Sequence, residues 1–192
     1  MVDGFALTLG VVAAIALERV AEVRLSHRNA EWAFARGAVE SGRGHYGLMV
    51  AFHTLFLVAC VVEPLLRPRH VAGASVAACL VALVCAQVLR WWTVGTLGRR
   101  WNARIIVLPD AEPVISGPYR WLRHPNYLAV IVEMVALPLL GGAWITAVCA
   151  SLLNGLLLTA RIRAEERALG ARWLRAFAAT PRFVPGGPRA AS

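Results

Sequence analysis

The chain has 192 residues, enough for one domain, with a hydrophobic share of 58% and a charged share of 16%. Soluble domains run about 45 to 50% apolar and about 25% charged, so these proportions exclude an ordinary soluble globule and point to lipid as the solvent. All 20 basic residues are arginine and the formal net charge is +9. Because the arginines lie between apolar runs, that charge fits an anionic lipid surface and argues against nucleic acid as a partner.

A helix that crosses a bilayer needs about 20 mostly apolar residues, since the hydrocarbon core is roughly 30 Å thick and the helix rises about 1.5 Å per residue. Residues 5–23 form the first such run. They follow no basic leader, and no small-residue cleavage site succeeds them, so the segment is expected to remain in the mature protein. After Leu17 the run turns amphipathic, and Glu18, Arg19, Glu22 and Arg24 are expected to mark its exit, their charged ends snorkelling to the headgroups. Residues 47–66 and 71–94 supply the second and third spans. Residues 127–140 form a shorter fourth run, which Pro138-Leu139-Leu140-Gly141-Gly142 is expected to stop. Residues 143–160 form the fifth, making 127–160 a tight helical hairpin.

These runs predict an all-α integral membrane protein of about five transmembrane helices, the last two a helical hairpin, folded as a single domain over residues 1–184. Residues 185–192, with Pro185-Gly186-Gly187-Pro188, are expected to be a disordered tail. Cys60, Cys79, Cys85 and Cys149 sit inside apolar runs without metal-ligand or redox spacing, so they read as small buried hydrophobes and no metal site is expected.

Arginine-rich loops stay cytoplasmic. Arg24, Arg28, Arg36 and Arg43 follow the first run, Arg99, Arg100, Arg104, Arg120 and Arg123 follow the third, and seven more follow the fifth. Arg67 and Arg69 alone fall on the other side. With five spans the amino terminus is expected outside and the carboxyl terminus in the cytoplasm of a multi-pass cell-membrane protein.

Polar side chains gather in two segments assigned to that same face. The first is Gly117-Pro118-Tyr119-Arg120-Trp121-Leu122-Arg123-His124-Pro125-Asn126-Tyr127, which runs into the fourth span. Its prolines keep the residues before them out of helix, and His124 or Asn126 is expected to cap the helix that follows. A helix start with Arg120, Arg123 and His124 beside it can hold a carboxylate or phosphate. The second segment is Arg161-Ile162-Arg163-Ala164-Glu165-Glu166-Arg167-Ala168-Leu169-Gly170. Helical spacing puts Asn154, Leu158, Arg161 and Glu165 on one face, a polar stripe leaving the membrane. Inside the spans lie His53, Gln87, Glu133 and Asn154, and Glu133 must face protein or a cavity because an ionisable group at the bilayer centre is costly.

Gly117-Pro118-Tyr119-Arg120, Arg123-His124-Pro125-Asn126-Tyr127, and Arg161 followed by Glu165-Glu166 and Leu169 resemble the isoprenylcysteine carboxyl methyltransferase family, its bacterial relatives and the phospholipid methyltransferases. The motif-bearing part is residues 90–173. The resemblance implies S-adenosylmethionine as cofactor in a cytoplasmic pocket, with Tyr119, His124, Pro125, Tyr127, Glu165 and Glu166 as cofactor residues. It implies Arg123 and Arg161 as the catalytic pair that orients the acceptor, while the polarity of Asn154, Glu133 and His53 inside the spans makes them the further acceptor residues expected from the sequence. Asn29, Glu40, His45-Tyr46 and His53 are similar to a bacterial branch found alongside type III polyketide synthases, which implies a functional link to such a synthase and an alkylpyrone or alkylresorcinol acceptor. A prenylcysteine-like carboxylate is the alternative acceptor. Two other readings stay open, an NADPH-dependent membrane reductase of sterol-reductase type and a non-enzymatic lipid-binding protein. No Gly-x-Gly-x-x-Gly occurs, which disfavours a soluble Rossmann-type site.

Overall fold

A computed structural model describes residues 2–183, and the expected tail lies outside them. The chain is an all-α membrane protein, 75% helical. The helices are α1 (Val2–Phe34), α2 (Arg43–Leu66), α3 (Gly73–Leu97), α4 (Pro125–Leu140) and α5 (Trp144–Ala176). Four of them are long and apolar enough to cross a membrane, and α4 is shorter. Their outer faces are inverted relative to a soluble protein: Leu55, Leu66, Val81, Val88, Leu152 and Leu156 are more than half exposed, as lipid-facing side chains are, because the bilayer removes the penalty for leaving them out of the core. Inside, Val12, Ile15, Phe56, Cys60, Leu83, Val130, Met134 and Leu137 form a continuous core of α1 to α4. Cys60 is buried there, but Cys85 and Cys149 are exposed, so the reading of four buried thiols holds only in part.

Helix α4 lies between α3 and α5 and forms the hairpin with the latter. Pro138 does not stop it; the helix continues to Leu140 and the chain reverses at Gly141 and Gly142. A proline this close to a C-terminus removes one backbone bond, and its own carbonyl still accepts from Gly141 N–H and Ala143 N–H. Gly142 makes the reversal at φ 76°. At that same end of the bundle Glu63, near the end of α2, accepts from the backbone of Ile145 (3.1 Å) and Thr146 (2.7 Å) and from Thr146 Oγ1 (2.6 Å). A carboxylate thus satisfies the free N–H groups that start α5 and ties α2 to the hairpin.

Helix α1 does not end near residue 23, and Glu18, Arg19 and Glu22 do not snorkel. They turn inward, where Arg19 bonds Glu18 and Glu22 at 2.9 Å each and Arg90 of α3 reaches Glu22 at 3.5 Å. Arg90 also bonds Glu133 of α4 directly, and Gln87 donates to the same carboxylate at 3.0 Å. Arg90 is 1% exposed and Glu133 4%, so a charged group at membrane depth is held by partners of opposite sign. Arg24 remains exposed.

A two-stranded antiparallel ribbon joins β1 (Val39–Ser41) to β2 (Ile105–Val107), pairing Val39 with Val107 and Ser41 with Ile105. It fastens the connection between α1 and α2 to the loop after α3, and Arg104 bonds Glu40 across it at 3.3 Å. Asn29 of α1 adds a second tie, donating to the Trp101 carbonyl at 2.7 Å. Both ties hold the loop after α3 above the start of α4.

Candidate functional site

The first motif segment is shaped by Gly117, which has φ 56° and whose missing Cβ would fall 2.4 Å from Thr96 Oγ1. Only glycine fits both restraints. A single 3-10 turn over Gly117–Arg120 follows and places Tyr119 inward. Burial and the nearby Glu165 push the Tyr119 phenol well above its ordinary range, so it stays neutral. Arg123 N–H donates to the Pro181 carbonyl at 2.9 Å, so residues beyond α5 return to brace this loop.

His124 occupies the residue before α4 and Pro125 begins the helix, but neither His124 nor Asn126 caps it through a side chain. Other partners claim both groups. The His124 ring bonds Glu166 Oε1 through Nε2 at 3.2 Å, stacks on Tyr127 at 5.3 Å between centroids and lies 5.6 Å from Trp173. Asn126 Oδ1 accepts from Arg90 at 3.4 Å.

From α5, Arg161 Nε donates to the Tyr127 hydroxyl at 2.9 Å, Tyr127 donates in turn to Glu165, and Arg161 Nη2 donates to the Ala103 carbonyl. The two motif segments therefore meet through a chain of side-chain hydrogen bonds. Glu166 lies behind His124 and is gripped by Arg182 through Nε at 3.0 Å and Nη2 at 2.6 Å. Its carboxylate raises the Arg182 pKa further, and such a two-bond fork is a strong, oriented pairing. Arg123 completes this side, donating through Nε to the Thr180 carbonyl at 2.7 Å with Nη1 3.7 Å from Glu166.

These groups border one cavity of about 1100 Å³. At one end stand Tyr119, Arg123, His124, Tyr127, Arg161 and Glu165, under the loop that carries β2. At the other, Ala16 and Val20 of α1 face Met49, His53 and Leu57 of α2. Leu57 lies more than half-way along α2, roughly 20 Å from its start at 1.5 Å per residue, so the chamber extends from a polar loop region to membrane depth.

Of the site residues expected from sequence, the structure brings seven to this cavity: Tyr119, Arg123, His124, Tyr127, Arg161, Glu165 and His53. Pro125 is buried in the first turn of α4, Glu166 supports His124 from behind, and Glu133 belongs to the Arg90 cluster. Asn154 keeps its place on the α5 stripe but is 2% exposed and borders a separate small cavity with Ile131, Met134 and Ser151. The helical face is as expected; α4 packs over its lower half. Asn29 and Tyr46 also line the main chamber, and Glu40 holds its roof through Arg104, while the side chain of His45 lies outside the described residues.

Three groups were missed as site residues. Arg90 and Asn126 line the chamber, and an arginine within the apolar run 71–94 was the available signal for the first. Arg182 gave none, because it reaches Glu166 from a short segment with no periodicity.

A profile of the isoprenylcysteine carboxyl methyltransferase (ICMT) family matches residues 77–171, a window holding both motif segments. The chain is similar to a Bacillus subtilis (strain 168) protein named "Uncharacterized protein YpbQ", 36% identical over 161 residues that cover 83% of this chain and 94% of that one. It is also similar to an "Uncharacterized protein" of Haemophilus influenzae, 28% identical over 152 residues covering 79% and 88%. With a shared family profile across its last three helices and a relative aligned over nearly its whole length, the chain belongs to the isoprenylcysteine carboxyl methyltransferase family of membrane methyltransferases.

Proposed function

We propose that this protein is an S-adenosylmethionine-dependent O-methyltransferase acting on a lipophilic acceptor, either a long-chain polyketide phenol or enol of the alkylresorcinol or alkylpyrone kind or, second, a prenylcysteine-like carboxylate. The observation that carries the reading is the single chamber bordered both by the two motif segments and by the apolar walls of α1 and α2. One end suits a polar, cationic cofactor and the other an aliphatic chain.

The residues present fit that cofactor. Glu165 offers a carboxylate to its ammonium, His124 and Tyr127 offer ring faces to its base or sulfonium, and Tyr119 offers a neutral hydroxyl. When bound, S-adenosylmethionine supplies an electrophilic methyl group for in-line displacement. The chain's own contribution is alignment and exclusion of water, which together can lower a barrier by roughly 7 to 11 kcal/mol. Glu166, forked by Arg182, fixes the His124 ring; Tyr127 and Arg161 fix each other and Glu165. Arg161 keeps Nη1 for the acceptor oxygen, and Arg123 borders the same end.

The arginine distribution supports an arrangement with the amino terminus outside and the chamber's polar end in the cytoplasm, where the cofactor would be met. A functional link to a type III polyketide synthase would supply the first acceptor class. Isothermal titration of the purified protein in detergent with S-adenosylmethionine, its demethylated product and NADPH tests the reading. Saturable binding of the first two is expected; saturable binding of NADPH alone would replace methyl transfer with reduction, and binding of none would leave a lipid-binding protein.

A further inference from the structure

We propose that the acceptor enters as a neutral hydroxyl, phenol or enol, and that His53 is the base that takes its proton. The proposal rests on the methyl-transfer reading above and selects between its two acceptor classes.

His53 lies on α2 and lines the chamber beside Met49 and Leu57. Its Nδ1 is 2.8 Å from the Met49 carbonyl. A carbonyl only accepts, so the ring proton sits on Nδ1 and Nε2 carries a lone pair. Because Nδ1 is turned back against its own helix, Nε2 is on the ring edge directed away from α2, toward the chamber. Among the described residues the Met49 bond is the one hydrogen bond this ring makes. A half-buried imidazole with a free lone pair, beside Met49, Val50, Leu57 and Val58 on the chamber wall, suits a hydroxyl donor.

The arginines point the same way. A carboxylate at this depth needs an open two-pronged guanidinium, since an unpaired buried charge is costly. Four of the lining arginines, Arg19, Arg90, Arg123 and Arg161, are already engaged. Arg19 bonds Glu18 and Glu22; Arg90 bonds Glu22 and Glu133. Arg123 bonds the Thr180 carbonyl and approaches Glu166. Arg161 spends Nε on Tyr127 and one N–H of Nη2 on Ala103, which leaves Nη1 free to donate. The free Nη1 of Arg161 and the His53 lone pair match a hydroxyl oxygen and its proton.

In the reaction the acceptor O–H bond breaks and its proton moves to His53 Nε2. The oxygen pair forms the new O–CH3 bond as the S–CH3 bond breaks, and that pair stays on sulfur as a thioether. The imidazolium then returns its proton to water.

The test uses the full-length protein in detergent with S-adenosylmethionine and three probes: a long-chain alkylphenol, its polyfluorinated ring analogue that is ionised at assay pH, and a fatty acid of equal chain length. The unmodified protein is expected to methylate both phenols and leave the fatty acid untouched. His53→Asn keeps a polar group of similar size but removes the base. It is expected to lower kcat on the alkylphenol roughly 100-fold or more, the usual span for general bases, with KM and cofactor binding little changed. On the pre-ionised phenol the loss should shrink to within about threefold, which a merely structural role would not produce. Equal losses on the two phenols, no loss on either, transfer to the fatty acid, or no transfer to any probe by a protein that binds the cofactor would each overturn the proposal. Should His53→Asn fail to bind cofactor, the acceptor preference of the unmodified protein decides it. An unmodified protein that binds no S-adenosylmethionine overturns the methyl-transfer reading, and this proposal with it.

Discussion

The buried ionic cluster gives the sharpest energetic test of the fold. Arg90 is 1% exposed and bonds Glu133 directly, with Glu22 at 3.5 Å and Asn126 at 3.4 Å. Changing Glu133 to Ala removes its most intimate partner and also a Gln87 acceptor at 3.0 Å, leaving a guanidinium at membrane depth with Glu22 at 3.5 Å as its carboxylate and the neutral amide oxygens of Asn126 and Gln87 at 3.4 and 3.3 Å. Breaking a buried pair by removing one partner costs about 3 to 5 kcal/mol, whereas replacing the whole pair with apolar groups is often close to neutral. Glu133→Ala and Arg90→Met should therefore each destabilise by about 3 to 5 kcal/mol. The combined Arg90→Met, Glu133→Leu protein should lose less than either, under about 2 kcal/mol. Glu22 in that protein keeps Arg19 at 2.9 Å, so removing the pair strands no carboxylate. Unfolding by sodium dodecyl sulfate titrated against mild detergent, followed by tryptophan fluorescence, measures all three. A double variant as unstable as the sum of the singles would refute the pairing argument, as would single variants within about 0.5 kcal/mol of the parent.

Three further perturbations probe other joints. Arg182→Ala frees Glu166 to pull on His124 and should weaken S-adenosylmethionine binding about tenfold, near 1.4 kcal/mol; Arg182→Lys, which keeps charge without the fork, should recover part of it in the same calorimetric titration. Glu63→Ala removes all three bonds at the start of α5 and should cost about 1 to 2 kcal/mol of stability, read by the same unfolding titration, with turnover per folded molecule unchanged. Gly117→Ala drives a Cβ to 2.4 Å from Thr96 Oγ1 at positive φ, while Gly37→Ala, at φ 78° with open space, meets only the backbone penalty. The first should lose activity and several kcal/mol, the second about 1 kcal/mol, as thermal denaturation and a methyl-transfer assay would record.

Much of this architecture was legible before any coordinates because a bilayer imposes so few choices. Apolar runs of near-spanning length had to be helices, and the reversal at Gly141 and Gly142 announced the hairpin. Both motif segments could be located for a similar reason: prolines and clustered charges cannot continue a lipid-facing helix. Less was readable where long-range pairing overrides local pattern. Glu18, Arg19 and Glu22 looked like an exit because helix periodicity does not reveal that Gln87 and Arg90 await them on α3. Strands of three residues, such as Val39–Ser41, carry too little alternation to register. Asn154 and Glu133 were assigned to the acceptor from their polarity, but which cavity a buried polar group meets depends on the neighbouring helix at that depth. Arg182 acts from an irregular segment whose path only the folded chain defines.

The central claim is that the segment before α4 and the C-terminal part of α5 enclose one cofactor chamber. Ultraviolet crosslinking of methyl-labelled S-adenosylmethionine to the purified protein, followed by peptide mapping, addresses it directly. The account predicts label in two peptides, one containing Tyr119 to Tyr127 and one containing Arg161 to Trp173, both suppressed by excess demethylated product. Label in only one of these peptides, or in neither, would contradict it.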